Sequence, residues 1–263
     1  MSVLSHLNTL GSNLVLSSSE TSSINTSITT LEKRLGYYFD NIKSSFVFGS
    51  FDRSTILPRS VDENSDIDYM IVFNDGVDFK PQTLLARLKR FAETYYSTSE
   101  IYQSSPTLVL NLNHIKFELV PAYENWWSLY IPAPASDYQD WISTDPNQMK
   151  ANLTDKNGNN DYKIKPLIRV LKYWNVLNYK VYSSYELEKY IIDKSYNWCD
   201  NLKDYFFSAV DGLPTYRLPD YKRNKVERLQ RNISEVKELL DGGMPFSAEI
   251  KLKEELPDCH ILK

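Results

Sequence analysis

From Ile24 the apolar residues recur at helical spacing. Ile24, Ile28, Leu31, Leu35, Phe39 and Ile42 share one face, which predicts a long helix ending near Lys43. The residues up to about Ser27 are polar and Ser-rich, without a strong period. Phe46, Val47 and Phe48 form a short β-prone run that stops at Gly49-Ser50, and Asp66–Phe73 reads as a second strand after a polar loop. Asn74-Asp75-Gly76 is a turn. Pro81 suits a first helical turn, and Leu84, Leu85, Leu88, Phe91 and Ala92 carry that helix to about Tyr96. Thr107–Leu112 and Ile115–Pro121 are β-like and joined by a tight turn at Asn113-His114. The order β-β-α-β-β predicts a mixed sheet with a covering helix. Tyr123–Trp141 carries three tryptophans and the proline-rich run IPAPA and reads as an irregular connection.

The remainder is helical by pattern. One helix starts near Pro146 and ends before Lys156–Asn160, a second spans about Tyr162–Leu177, and a third Ser184–Lys194. Asn197–Val210 reads as a further short helix and Gly212–Tyr221 as a loop. Val226, Leu229, Ile233, Val236 and Leu240 define an amphipathic helix that stops at Gly242-Gly243. The fold class is therefore α+β. The expected division is a lobe over residues 1–135, with the long N-terminal helix along its sheet, and a helical lobe over 136–263.

Composition narrows the class. A formal net charge of −4 argues against a general nucleic-acid coat protein, and stable nucleic-acid binding is not expected. The two cysteines, Cys199 and Cys259, are far apart and offer neither a disulfide framework nor a zinc cluster. His6, His114 and His260 are scattered, so a histidine metal site is not expected. No apolar run is long enough for a membrane span, and the N-terminus lacks the basic and apolar regions of a signal peptide. A cytoplasmic protein without a membrane partner is the expectation.

The candidate chemistry lies between Phe46 and Phe73. A glycine at 49 lets the backbone approach a ligand closely, and the N–H groups of such a turn can point at phosphate oxygens. Asp66 and Asp68 lie two apart on a strand and so project to the same side. Paired carboxylates repel and are costly to bury unless a cation lies between them. Mg²⁺ takes carboxylate oxygens together with substrate phosphates, so a metal-bound nucleotide suits the site.

Gly49-Ser50 followed by Asp66-x-Asp68 resembles the signature of polymerase-β-type nucleotidyltransferases. The finer resemblance is to the CD-NTases, the cyclic GMP-AMP synthase-like enzymes of bacterial antiphage signalling. Its carriers are GSFDRST, with Ser54 where the pattern has Gly, then WISTDP with LIRVLKYWN, and SSYELE at 183–188. The resemblance covers roughly residues 24–195 by motif order. It implies an active site in the cleft between the lobes and a third carboxylate on a later strand. Glu118 is the candidate: Ile115, Phe117 and Leu119 form one face of that strand, and Lys116, Glu118 and Val120 the other. Asp66 and Asp68 would bind two Mg²⁺ ions, with Mn²⁺ as a substitute, and Glu118 one of them. Gly49 and Ser50 would hold the donor triphosphate. Lys172 would reach its phosphates, Ser184 would add a hydrogen bond and Tyr185 would stack on the base.

The residues support Lys172 independently. Lys165, Arg169 and Lys172 lie at i, i+4 and i+7 beside the stripe Ile164, Leu167, Ile168 and Leu171, which suits the rim of a phosphate cleft. A solvated basic face is the bland alternative. Ser184 also suits an N-cap. The resemblance implies synthesis of a cyclic or short linear nucleotide second messenger from NTPs or dNTPs, with release of pyrophosphate, and an effector protein that answers the product. Two alternatives stay open: template-independent addition of nucleotides to a tRNA end, a partner protein or the chain's own tyrosine, as nucleotidyltransferase toxins do, and a binding module without catalysis. Tyr196, Tyr205, Tyr216 and Tyr221 are candidate self-priming hydroxyls, against ordinary packing of a helical lobe.

Overall fold

The computed structural model describes residues 2–104, 106–134 and 140–259. In chain order its elements begin with α1 (Val3–Asn13), α2 (Ser18–Tyr38), β1 (Ile42–Phe48), α3 (Gly49–Asp52) and β2 (Asp66–Phe73). Then follow α4 (Pro81–Tyr95), β3 (Glu100–Ser104), β4 (Thr107–Asn111), β5 (Lys116–Asn125), β6 (Ser128–Pro132) and β7 (Trp141–Thr144). The helices α5 (Pro146–Gly158), α6 (Ile164–Leu177), α7 (Ser184–Asp193), α8 (Leu202–Asp211), α9 (Asp220–Asp241) and α10 (Pro245–Glu255) complete the chain. Two compact units result: one of Leu16–Ile56 and Asn64–Lys150, the other of Met1–Val15, Leu57–Glu63 and Ala151–Lys263. The boundary expected at 135/136 lies outside the described residues, as does His260.

The first unit is a mixed sheet in the order β1-β2-β5-β4-β3, with β6 paired to β5 and β7 to β6. β2 and β5 run parallel; the other pairs are antiparallel. Strand parity decides what each face does. Ile67, Tyr69, Ile71 and Phe73 of β2 join Phe117 and Leu119 of β5 in one core with Ile24, Ile28, Leu31 and Leu35 of α2 and the apolar stripe of α4. Met70, Val72 and Ala122 pack on the opposite face with Phe46, Phe48, Leu129 and Ile131. Asp66, Asp68, Lys116 and Glu118 share the parity of that second face, away from the two helices. The helix-backed mixed sheet is a polymerase-β-like α+β fold.

Several local expectations change. The helix from Ile24 begins earlier, at Ser18, behind a capping box of Ser17 and Glu20. It ends at Tyr38, because Phe39 is extended (φ −114°, ψ 131°), and Ile42 opens β1. Phe39 and Ile42 still pack on the same core, so the apolar period continues while the backbone changes state. The serine-rich start contains α1, whose Val3, Leu7 and Leu10 are buried. Tyr123–Trp141 is not an irregular connection throughout: β5 runs on to Asn125, and β6 and β7 follow.

The second unit is all helix apart from its connections. Glu255 is buried and ties three helices together: it accepts from Arg228 Nε (2.9 Å), Asn232 Nδ2 (2.7 Å) and Trp174 Nε1 (3.2 Å). Arg169 of α6 donates to the Gly11 carbonyl at the end of α1 (3.0 Å from Nη2), a favourable place for a cation. Burial pushes its pKa down to about 10, so it stays charged at neutral pH. No described helix is long and apolar enough to cross a membrane.

Candidate active site

The register of β2 against β5 sets the site. Asp66 pairs with Lys116 and Asp68 with Glu118, and the two-residue period puts all four side chains on one face. Lys116 Nζ lies 3.2 Å from Asp66 Oδ2 and 3.3 Å from Glu118 Oε1. The other Glu118 oxygen lies 3.4 Å from Thr107 Oγ1 on β4. Burial raises the Glu118 pKa above the usual carboxylate range and the Asp66 charge adds to this, with Lys116 opposing. Burial alone would lower the Lys116 pKa; the charges of Asp66 and Glu118 outweigh it, and the net shift is upward.

Gly49 closes this face. Its φ is +72°, in the left-handed region, and a Cβ there would stand 1.7 Å from Asp68 Oδ2. A side chain at 49 would therefore both strain the backbone and displace a carboxylate. Ser50 follows in the single turn α3, its carbonyl accepting from the Thr55 and Ile56 N–H groups at 2.9 and 3.1 Å. Ser54 has φ 59°, which gives a physical reason for glycine at that place in the family pattern. Lys150 of α5 holds Asp52 of the same loop at 2.6 Å.

Three carboxylates are hard oxygen donors that suit Mg²⁺ or Mn²⁺, and the ammonium between two of them marks a position where positive charge is favoured. The donor set fits a divalent cation. Among the described residues no three His, Cys, Asp or Glu side chains already converge as a metal-ligating group; the Lys116 ammonium lies against both Asp66 and Glu118. Glu124, the next acidic residue on β5, pairs with Lys43 at 2.7 Å.

The other candidates lie in the helical unit. Lys172 of α6 is buried and ion-paired to Glu188 of α7, whose side chain is 0% exposed. The N-cap of α7 is Ser183, not Ser184: its hydroxyl and N–H both meet Glu186, and Glu186 N–H returns to Ser183 Oγ, a full capping box. Ser184 is exposed on the first turn, and Tyr185 is 58% exposed, so its ring face is available.

Residues 1–157 match the model of the Second Messenger Oligonucleotide or Dinucleotide Synthetase domain. The chain belongs to this family. A probable cyclic nucleotide synthase of Bacillus cereus (strain VD146) is 36% identical over 105 residues, a stretch of 37% of this chain and 31% of that one. The match thus spans about a third of the curated relative's length. The fold is similar to that of Escherichia coli MS115-1 CdnC, solved with ATP: TM-score 0.74 at 12% identity, over 98% of each chain. It is also similar to the Rhodothermus marinus CdnE c-UMP-AMP synthase, solved with Apcpp and Upnpp: TM-score 0.63 at 14% identity, over 88% of this chain and 96% of that one.

Two charged partners were not singled out by the sequence. The signal for Lys116 was present, since it shares the parity of Glu118, but parity does not say what stands across the strand. Glu188 closes the SSYELE motif, but the motif does not say that it pairs with Lys172. The four tyrosines divide. Tyr196 and Tyr205 are buried, with hydroxyls bonded to the Ile191 carbonyl (3.1 Å) and Asn160 Oδ1 (3.2 Å), and burial raises both pKa values. Packing accounts for these two. Tyr216 and Tyr221 are exposed.

Changing Glu188 to Gln leaves the Lys172 ammonium buried against a neutral partner. We expect a loss of about 2 kcal/mol in unfolding free energy, read by urea denaturation. An unchanged midpoint would mean that Lys172 does not depend on the pair.

Proposed function

We propose that this chain is a metal-dependent nucleotidyltransferase that makes a cyclic or short linear nucleotide second messenger from NTPs or dNTPs. The observation that carries the reading is the pairing of Asp68 with Glu118 across β2 and β5, with Asp66 on the same face and Gly49 against Asp68. Asp66 and Asp68 hold two divalent cations and Glu118 one of them. When bound, Mg²⁺ or Mn²⁺ lowers the pKa of an acceptor hydroxyl and neutralises charge on the departing pyrophosphate. Gly49 and Ser50 cradle the donor triphosphate, where the absence of a Cβ at 49 leaves room for close approach. Ser184 binds its phosphates and Tyr185 stacks on its base, while Lys172 reaches the phosphates only by leaving its buried partner Glu188. In-line transfer at the α-phosphorus asks mainly for positioning and charge, so no separate general base is required. The product signals to an effector protein in bacterial antiphage defence, in the cytoplasm.

The test is direct. Purified protein is incubated with labelled NTPs and dNTPs and Mg²⁺, with and without RNA, and the protein is then weighed by mass spectrometry. Small-molecule products formed without RNA are expected. Products that appear only on RNA, or a ladder of nucleotides on the protein itself, would favour a macromolecular transferase instead.

Tyr185→Ala should weaken donor binding by ~1–3 kcal/mol, the worth of one base stack, while Tyr185→Phe stays near wild type. Fluorescence titration with a non-hydrolysable donor reads both. Equal large losses would point to the hydroxyl rather than the ring.

A further inference from the structure

Lys116 faces both acidic strand positions at once. It stands across from Asp66 in the β2–β5 register and two residues before Glu118 on its own strand, and its ammonium bridges the two carboxylates at 3.2 and 3.3 Å. Its side chain is only 17% exposed, so this charge is held within the site and not on a solvated rim. Among the described contacts of Glu118, one oxygen meets Lys116 and the other the neutral Thr107 hydroxyl, and its carboxyl also lies against the like-charged Asp66, which raises its pKa. A carboxylate oxygen that serves an ammonium cannot also take a divalent cation without bringing two positive charges together, and at short range in a half-buried site that repulsion is strong. Lysine can resolve the conflict because its charge is a point at the end of a flexible four-carbon stem.

We propose that Lys116 is a built-in competitor for the divalent cation: its ammonium holds Asp66 and Glu118 together and must withdraw from them when the cation takes their oxygens. Lys116 thereby sets the metal concentration at which the site loads. It is a positioning residue that acts through the carboxylates. The inference rests on the metal-binding reading of Asp66, Asp68 and Glu118.

Binding of Mn²⁺ alone, without nucleotide, tests it through the electron paramagnetic resonance signal of the free ion. Lys116→Met keeps the stem and removes the charge. It should bind Mn²⁺ about tenfold more tightly than the wild type, since a like charge beside the site is gone. It should also melt at a lower temperature in EDTA and gain more on adding Mn²⁺, because the two carboxylates then lack a resident counter-charge. Lys116→Arg, with the charge retained, should stay within about threefold of the wild type. Unchanged or weaker Mn²⁺ binding by Lys116→Met overturns the competitor role. If the wild type binds no more Mn²⁺ than an Asp66→Asn, Asp68→Asn double variant, the metal reading fails and the competitor role with it.

Discussion

Asp66→Asn combined with Asp68→Asn should abolish nucleotide transfer, by at least about a thousandfold, while leaving the fold in place. The amides keep size and hydrogen-bonding capacity but cannot supply the negative charge that two divalent cations require. Stability should change little because the local terms oppose. Asp66 loses its contact with Lys116, a partly exposed pair worth at most about 1 kcal/mol. Glu118 in turn loses a carboxylate neighbour that now raises its pKa. Label conversion and urea denaturation on the same preparation separate the two effects. Near-normal turnover in Mg²⁺ would remove these residues from the site. Glu118→Gln should reduce the rate comparably, with donor binding partly kept.

Gly49→Ala should cost at least about a hundredfold in transfer, although it adds only a methyl group. That methyl would lie 1.7 Å from Asp68 Oδ2 and 2.6 Å from its Cγ, far inside van der Waals contact. Either Asp68 or the β1–α3 turn must move by more than an ångström, and a misplacement of that size costs about two orders of magnitude where catalysis depends on positioning. The left-handed φ of +72° adds ~1–2 kcal/mol of backbone strain that any L side chain would carry. The variant should therefore melt lower as well as turn over more slowly. Gly158, which has no heavy atom within 4 Å of a built Cβ, supplies the control: Gly158→Ala should leave both readouts near wild type. A Gly49→Ala enzyme with wild-type rate would mean that Asp68 does not need its present position.

Local periodicity determined a good deal on its own. The period of two in Asp66–Phe73 put both aspartates on the same side of an otherwise apolar strand, because alternate strand residues must point to opposite sides. The period of 3.6 in α4 and α9 located their buried stripes for the matching helical reason, while α6 buries Lys172, Tyr173 and Asn175 as well as its expected stripe. Where the signals failed, the cause was specific. The β5–β6 hairpin turns through Trp126 and Trp127, at φ 47° and 73°, where a two-residue turn ordinarily carries Asn or Gly. No turn residue announces it. β3 is a polar edge strand, and an edge needs no apolar alternation to pair. The partners of the charged groups were decided only in three dimensions. Lys116 could equally have faced water, and Lys172 a free surface; the β2–β5 register and the α6–α7 packing gave them Asp66, Glu118 and Glu188. Spacing along a strand or helix states which residues share a face. Which charge ends up across from which depends on how separate elements pair, and long-range pairing leaves no period in the chain.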